Sequence, residues 1–282
     1  MSARADAHAH FFQPGYVATL PDSCRRVQPD EVTLYQALAQ QHHIQQVLAI
    51  GYEAEDWATG SNRHLAQLAA SYPWIRPVAF VHEPANLEVS ALEKWQRESF
   101  IGLSFYLFDP QQTSALGQVS DEVWLWLAQQ RWLVSVNSRG EHWTAWLPVL
   151  ERQPDLRVLV SHLGLPPAVS EAPAEATAQQ ALPEVLALAR FPDVRVKLSA
   201  FYALTHPGYD YPNQAAWPYV EVLLAAFGST RLLWGSDFSP SLEWLSFPQT
   251  FGLFSAMPFL SGPDIERIEG GNLLALLAEA AD

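Results

Sequence analysis

Cysteine is nearly absent from this chain of 282 residues. Cys24 stands alone, so no intramolecular disulfide forms and no cysteine-built metal site is available. That suits a reducing compartment, and a cytoplasmic location is expected. Basic residues are scarce as well. Sixteen Lys and Arg face 30 Asp and Glu, a formal charge of −14, which repels phosphate backbones and anionic lipid surfaces and argues against nucleic acid or membrane as partner. No apolar run reaches the ~18 residues of a membrane span, and the opening "MSARADAHAH" lacks an apolar signal core. Glycine-rich phosphate loops and the dinucleotide fingerprint are also missing. With only 16% charged and 49% apolar residues, the composition excludes a disordered or coiled-coil chain. A large core and a small-molecule substrate are the expectation, and a homodimer is left open.

What is present is rhythm. Eight apolar or β-branched runs recur, at 6–12, 44–53, 76–83, 100–109, 132–140, 156–164, 193–204 and 231–240. Between them lie patterns of helical period. "DEVTLYQALAQQH" follows an Asp suited to capping, "SDEVWLWLAQQ" begins on a capping Ser120, and "WPYVEVLLAAFG" ends on a glycine. Strands alternating with helices imply parallel strands joined by crossovers. Eight such units without a compositional break predict a closed (β/α)₈ barrel in one domain, 1–282, over an open doubly wound sheet. Two long stretches, 165–183 and 205–218, leave carboxyl ends of strands, the face where barrel enzymes keep their chemistry. The first, rich in Ala, Pro and Glu, reads as solvated loop; the second, with Tyr209, Tyr211 and Trp217, reads as a partial lid.

The first run, "DAHAHFF", holds the clearest chemical signal. Residues i and i+2 of a strand face one side, so His8 and His10 project together. The sixth run ends in "VSHLG" with His162, and the eighth in "WGSDF" with Asp237. Three imidazoles and a carboxylate at strand ends can bind a divalent ion or activate water with Asp237 as general base.

Together "DAHAHFF", "VSHLGLP", "VKLSAFYAL", "LLWGSDFSP" and "GGNLLALL" resemble the amidohydrolase superfamily, and within it the branch of 2-pyrone-4,6-dicarboxylate lactonase and sugar lactonases. The resemblance implies a distorted (β/α)₈ barrel with His8, His10, His162 and Asp237 as catalytic residues. Its metal-dependent members carry a histidine at the end of strand five, where this chain has Asn137. The pyrone-dicarboxylate enzymes carry arginines where this chain has Ser104, Leu165 and Ala203, so a dicarboxylate substrate would lack its counter-charges.

These departures lead to an expected lactonase for a neutral or monoanionic ring, with an Asp237-activated water and no required cofactor. The alternative is one divalent metal, zinc by preference, on His8, His10 and Asp237, serving a decarboxylase or amide hydrolase. A glycosidase using two of Glu53, Glu83, Asp109 and Asp237, or an inert ligand-binding barrel, is a further reading. The expected substrate contacts are Tyr106, Asn137, Arg139, Tyr202 and His82, in a pocket bordered by Phe108 and Trp217. Lys197 is placed evenly between pocket and structural pairing, and His206 is a weaker candidate.

Overall fold

The computed structural model describes residues 3–13 and 30–279, so Cys24 lies outside the described residues. Eight strands form one parallel sheet in sequential order: β1 (Arg4–Ala9), β2 (Ile44–Ile50), β3 (Ile75–Phe80), β4 (Gly102–Leu107), β5 (Leu133–Ser138), β6 (Arg157–Val160), β7 (Arg195–Leu198) and β8 (Leu232–Trp234). Each falls inside or overlaps one of the eight predicted runs. The seam between last and first strand is closed just beyond β8: the amide of Asp237 donates to the His8 carbonyl at 2.8 Å, and Ala9 bridges Phe238. The sheet is a nearly closed (β/α)₈ barrel.

Helices connect the strands and follow the predicted signals. In α1 (Glu31–His42) the Asp30 carboxylate accepts from the amides of Val32 and Thr33. After α2 (Ser61–Ser71), α3 (Val89–Arg97) and α4 (Pro110–Leu116), α5 (Asp121–Gln129) is capped by Ser120. Then come α6 (Trp146–Arg152), α7 (Glu175–Gln180), α8 (Pro183–Ala187), α9 (Phe201–Leu204) and α10 (Trp217–Phe227), the last ending at Gly228 with φ 69°. The chain continues through α11 (Gln249–Gly252), α12 (Gly262–Glu266) and α13 (Asn272–Ala278).

The stretch 165–183 is more structured than its composition suggests. It contains α7, whose Ala178 is buried, and Val169 pairs with Thr205 of the loop after β7. Apolar alanines make a helix wherever a surface is at hand to bury them.

The core is two-layered. Alternate strand residues such as Val134, Val158 and Trp234 pack toward the helices. Their neighbours Leu48, Ile50, Val78, Leu133, Leu159 and Leu233 form a second cluster with Leu273, Leu276 and Leu277 of α13. On β5 and β8 these leucines precede the polar residues, and α13 closes the amino end of the barrel, where the buried Arg157 donates to the Leu276 carbonyl. Strand β5 shows the layering: Leu133, then Ser135, then Asn137, then Arg139, each two residues further out.

Candidate active site

Strand β1 brings Asp6, His8 and His10 into the barrel, all buried. Asp6 anchors the seam: its carboxylate accepts from the Ser236 amide (2.9 Å) and hydroxyl (2.5 Å), the Tyr35 hydroxyl (2.8 Å) and the His8 amide (3.0 Å). Burial raises its pKa to about 6 despite these donors. Gly235 is required beside it, since a Cβ there would lie 2.7 Å from the Cβ of His8.

The imidazoles converge above. His8 Nε2 and His10 Nε2 are 3.2 Å apart, and they lie 3.7 and 3.8 Å from Asp237 Oδ1. The His162 ring stands 4.5 Å from that of His8, and His8, His162 and Asp237 each offer a ligand atom within 4.8 Å of the others. A turn in left-handed backbone produces this placement: His162, Leu163 and Leu165 have φ of 54°, 57° and 52°. Asp237 is also left-handed, at φ 54°. Non-glycine residues adopt this conformation at a cost, and such strain clusters at functional sites.

The outer nitrogens are held. His10 Nδ1 lies 2.9 Å from the Ile50 carbonyl, which only accepts, so Nδ1 carries the proton and Nε2 presents a lone pair. His162 Nδ1 meets the Ser199 hydroxyl at 2.9 Å. His8 Nδ1 lies 3.3 Å from Lys197 Nζ and 3.4 Å from Ser161 Oγ. Lys197, fully buried inside the barrel, donates to Ser135 Oγ at 2.7 Å, so it belongs to the support of His8 and not to the pocket wall. Burial lowers Lys197 to about 7, His10 to about 4 and His162 to about 3, and pushes His8 well below the usual imidazole value. The three histidines are neutral near pH 7. Asp237 moves upward, again through burial, and the Tyr202 hydroxyl donates to its Oδ2 at 2.6 Å.

A cavity of about 300 Å³ opens over this cluster, lined by His10, Phe12, Tyr52, Trp57, Tyr106, Asn137, His162, Tyr202, Asp237 and Pro240. Tyr106, Asn137 and Tyr202 thus lie where the sequence places them. Asn137 Oδ1 is buried without a hydrogen-bond partner among the described residues.

Five expected residues lie elsewhere. His82, with a side chain 57% exposed, is bound to Glu53 Oε2 at 2.6 Å and does not line the cavity. Arg139 lies over Phe108, 5.9 Å from its ring centroid, and both line a neighbouring groove. Trp217 starts α10, packs against the core and donates to the Pro212 carbonyl at 3.2 Å. His206 is exposed in its loop. Alternation fixes the face on which a strand residue lies but not its height above the core. The wall residues Phe12, Tyr52 and Trp57 were not anticipated. Phe12 could have been, because it continues the alternation of His8 and His10.

The donor set fits a divalent ion. Ligands bonded at about 2.0–2.2 Å around a tetrahedral ion stand roughly 3.3–3.6 Å apart, close to the 3.2, 3.7 and 3.8 Å found here. The imidazoles are neutral and the outer nitrogen of His10 is anchored, as ligating histidines require. The strand-five histidine missing at Asn137 is offset by His162, whose ligand atom lies within 4.8 Å of those of His8 and Asp237.

A nearly closed barrel with His-x-His at the end of its first strand, histidine after the sixth and aspartate after the eighth gathers, at the mouth, side chains able to hold a cation. The amidohydrolase model matches residues 5–277, and the chain belongs to the amidohydrolase family. It is 35% identical over 141 residues to an L-fucono-1,5-lactonase from Burkholderia ambifaria; the match covers 46% of this chain and 44% of that relative's length. An amidohydrolase from Burkholderia multivorans solved with bound zinc is 18% identical, with a TM-score of 0.74 over 98% of this chain and 99% of the other. A 2,6-dihydroxybenzoate decarboxylase shares the fold at 14% identity and a TM-score of 0.63, over 99% of each chain. The expectation that no cofactor is required is therefore corrected: the His8, His162 and Asp237 cluster and the zinc-bound relative both speak for a metal. Among the described residues, no helix is long and apolar enough to cross a membrane.

Proposed function

We propose that this chain hydrolyses a neutral, sugar-derived lactone to the open hydroxy acid. The observation that carries the reading is Asp237: its Oδ2 is occupied by Tyr202 while Oδ1 faces the imidazole cluster at the cavity floor. Among the described residues the cavity wall contains no arginine or lysine, in keeping with a neutral substrate, and it offers Phe12, Tyr52 and Trp57 as faces for a ring. The partial match to an L-fucono-1,5-lactonase supports the same substrate class.

His8, His10 and Asp237, with His162 beside them, would hold the ion, and a divalent ion supplies positive charge that polarises an acyl carbonyl and acidifies water. The residues do the rest. Asp237 Oδ1 takes a proton from water as the water oxygen bonds to the acyl carbon. The ring C–O bond then breaks, and Asp237 returns the proton to the departing alkoxide, so the balance is lactone plus water to hydroxy acid. Tyr202, by holding Oδ2, keeps the basic lone pair of Oδ1 on the reacting side. Tyr106 and Asn137 orient ring hydroxyls, the free Oδ1 of Asn137 accepting from one of them. Donors preset at a developing oxyanion contribute roughly 3–4 kcal/mol each in acyl transfer.

The test is acid release from a panel of neutral aldonolactones by zinc-loaded and chelated protein. Release with zinc and its loss on chelation are expected. A protein carrying one equivalent of zinc that opens none of the lactones would overturn the reading in favour of decarboxylation or amide hydrolysis.

A further inference from the structure

Beside the catalytic cavity lies a second, larger groove of about 720 Å³. The two are built by the same strand ends at successive heights. Strand β4 gives Tyr106 to the cavity and Phe108 to the groove. Strand β5 gives Asn137 to the cavity and Arg139 to the groove, and the β6 turn gives His162 to the first and Leu165 to the second. Two residues along a strand advance about 7 Å. A molecule whose reacting end lies at Asp237 and which extends along β4 to β6 therefore enters the groove next.

The chemistry of the groove selects what enters. Phe108, Leu165 and Pro166 supply apolar faces, while Arg139, Glu141 and Glu184 supply polar groups. Among the described residues none of those three side chains makes an ion pair or hydrogen bond with protein, so donors and acceptors face the groove unspent. An anionic extension would meet two carboxylates for one guanidinium, and a cationic one would meet Arg139. A neutral polyhydroxylated ring satisfies all: its hydroxyls donate to the glutamates and accept from Arg139, and its C–H face lies on Phe108.

We infer that the groove is a second sugar subsite, so that the favoured substrate is a disaccharide lactone whose lactone ring sits over Asp237 and whose second, neutral ring occupies the groove. This inference rests on the lactonase reading for the reaction but not for binding, and the test separates the two. Affinities of disaccharide alditols (lactitol, maltitol, melibiitol) and of monosaccharide alditols (glucitol, galactitol) for the zinc-loaded protein are measured by calorimetry. Alditols have no bond to hydrolyse, so the result stands whether or not any lactone is turned over.

At least one disaccharide alditol is expected to bind tenfold or more tightly than either monosaccharide alditol. The ratio should collapse toward one in Ala168→Trp, which fills the groove from an exposed position, and fall severalfold in Glu184→Ala. Equal or weaker binding of every disaccharide alditol, or an advantage that survives both substitutions, overturns the subsite. Lactone hydrolysis without any disaccharide preference would remove the subsite alone. Disaccharide alditol binding without lactone hydrolysis would remove the lactonase reading alone.

Discussion

The Nε2 atoms of His8 and His10 stand 3.2 Å apart, and that of His10 is a lone pair because its Nδ1 proton is given to the Ile50 carbonyl. Two facing lone pairs repel, so the pair needs either a proton on His8 Nε2 or a cation between the rings. Without the ion, His8 Nδ1 accepts from Lys197; with it, the His8 proton moves to Nδ1, and Lys197 must accept it uncharged or leave it to Ser161. Metal uptake is therefore coupled to loss of a proton.

Zinc affinity follows from this coupling. With Lys197 lowered to about 7, the ammonium competes below that value and is gone above it. Affinity should rise as pH rises from 6 toward 7 and flatten above, by up to about tenfold per unit for one proton. Competition titrations against a zinc chelator at pH 6, 7 and 8 check the slope; a flat profile across all three would contradict the coupling.

Replacing Asp237 with Asn keeps the shape but removes the proton acceptor. Turnover should fall by more than about ten-thousandfold, beyond the 10²–10⁴ range of a lost general base, because a charged ligand goes with it. The melting temperature of the metal-free protein should stay the same or rise, since a buried carboxylate with a raised pKa is replaced by a neutral amide. Calorimetry and a pH-stat assay on the same sample report both.

Tyr202→Phe frees Asp237 Oδ2 from a 2.6 Å hydrogen bond. A hydrogen bond to a charged group contributes about 1.5–3 kcal/mol, so kcat should drop about 10- to 100-fold. The same bond lowers the Asp237 pKa, so its loss should raise it and shift the acid limb of the metal-free protein's Asp237 titration to higher pH. An unchanged titration with unchanged kcat would show that Tyr202 serves only the wall.

Gly235→Ala tests the packing under the site. Its Cβ would meet the Cβ of His8 at 2.7 Å and the His8 amide nitrogen at 3.2 Å. Overpacking of this kind costs about 1–3 kcal/mol, so denaturant unfolding should show lower stability, with zinc affinity weakened because His8 is displaced. Full retention of both would mean that β1 gives way without moving the imidazole.

The histidine pair was legible because a period of two forces His8 and His10 to one face, and "WGSD" announced Asp237 by ending a short buried run. The eight-unit rhythm made the barrel legible in the same way. His162 was legible as a candidate but its placement was not: the left-handed turn at 162–165 brings its ring to His8, and no local pattern announces four successive residues of left-handed backbone. The ligand set reads as weak in the sequence because Asn137 stands where metal-dependent relatives carry a histidine at the end of strand five. The outward displacement of Arg139 and the pairing of His82 with Glu53 depend on height above the core and on a partner 29 residues away. Alternation carries neither.

The seam between β8 and β1 has a temporal consequence. Asp6 holds Ser236 across 230 residues of chain, and the groups that would grip the ion stand on both sides of that join. During synthesis the two histidines of β1 emerge before β8 and wait, incomplete, until the 230 residues after Asp6, up to Ser236, have followed. A ribosome-bound fragment ending before "WGSD" has imidazoles but no carboxylate to complete them, so tight metal capture belongs to the finished barrel and arrives together with its closure.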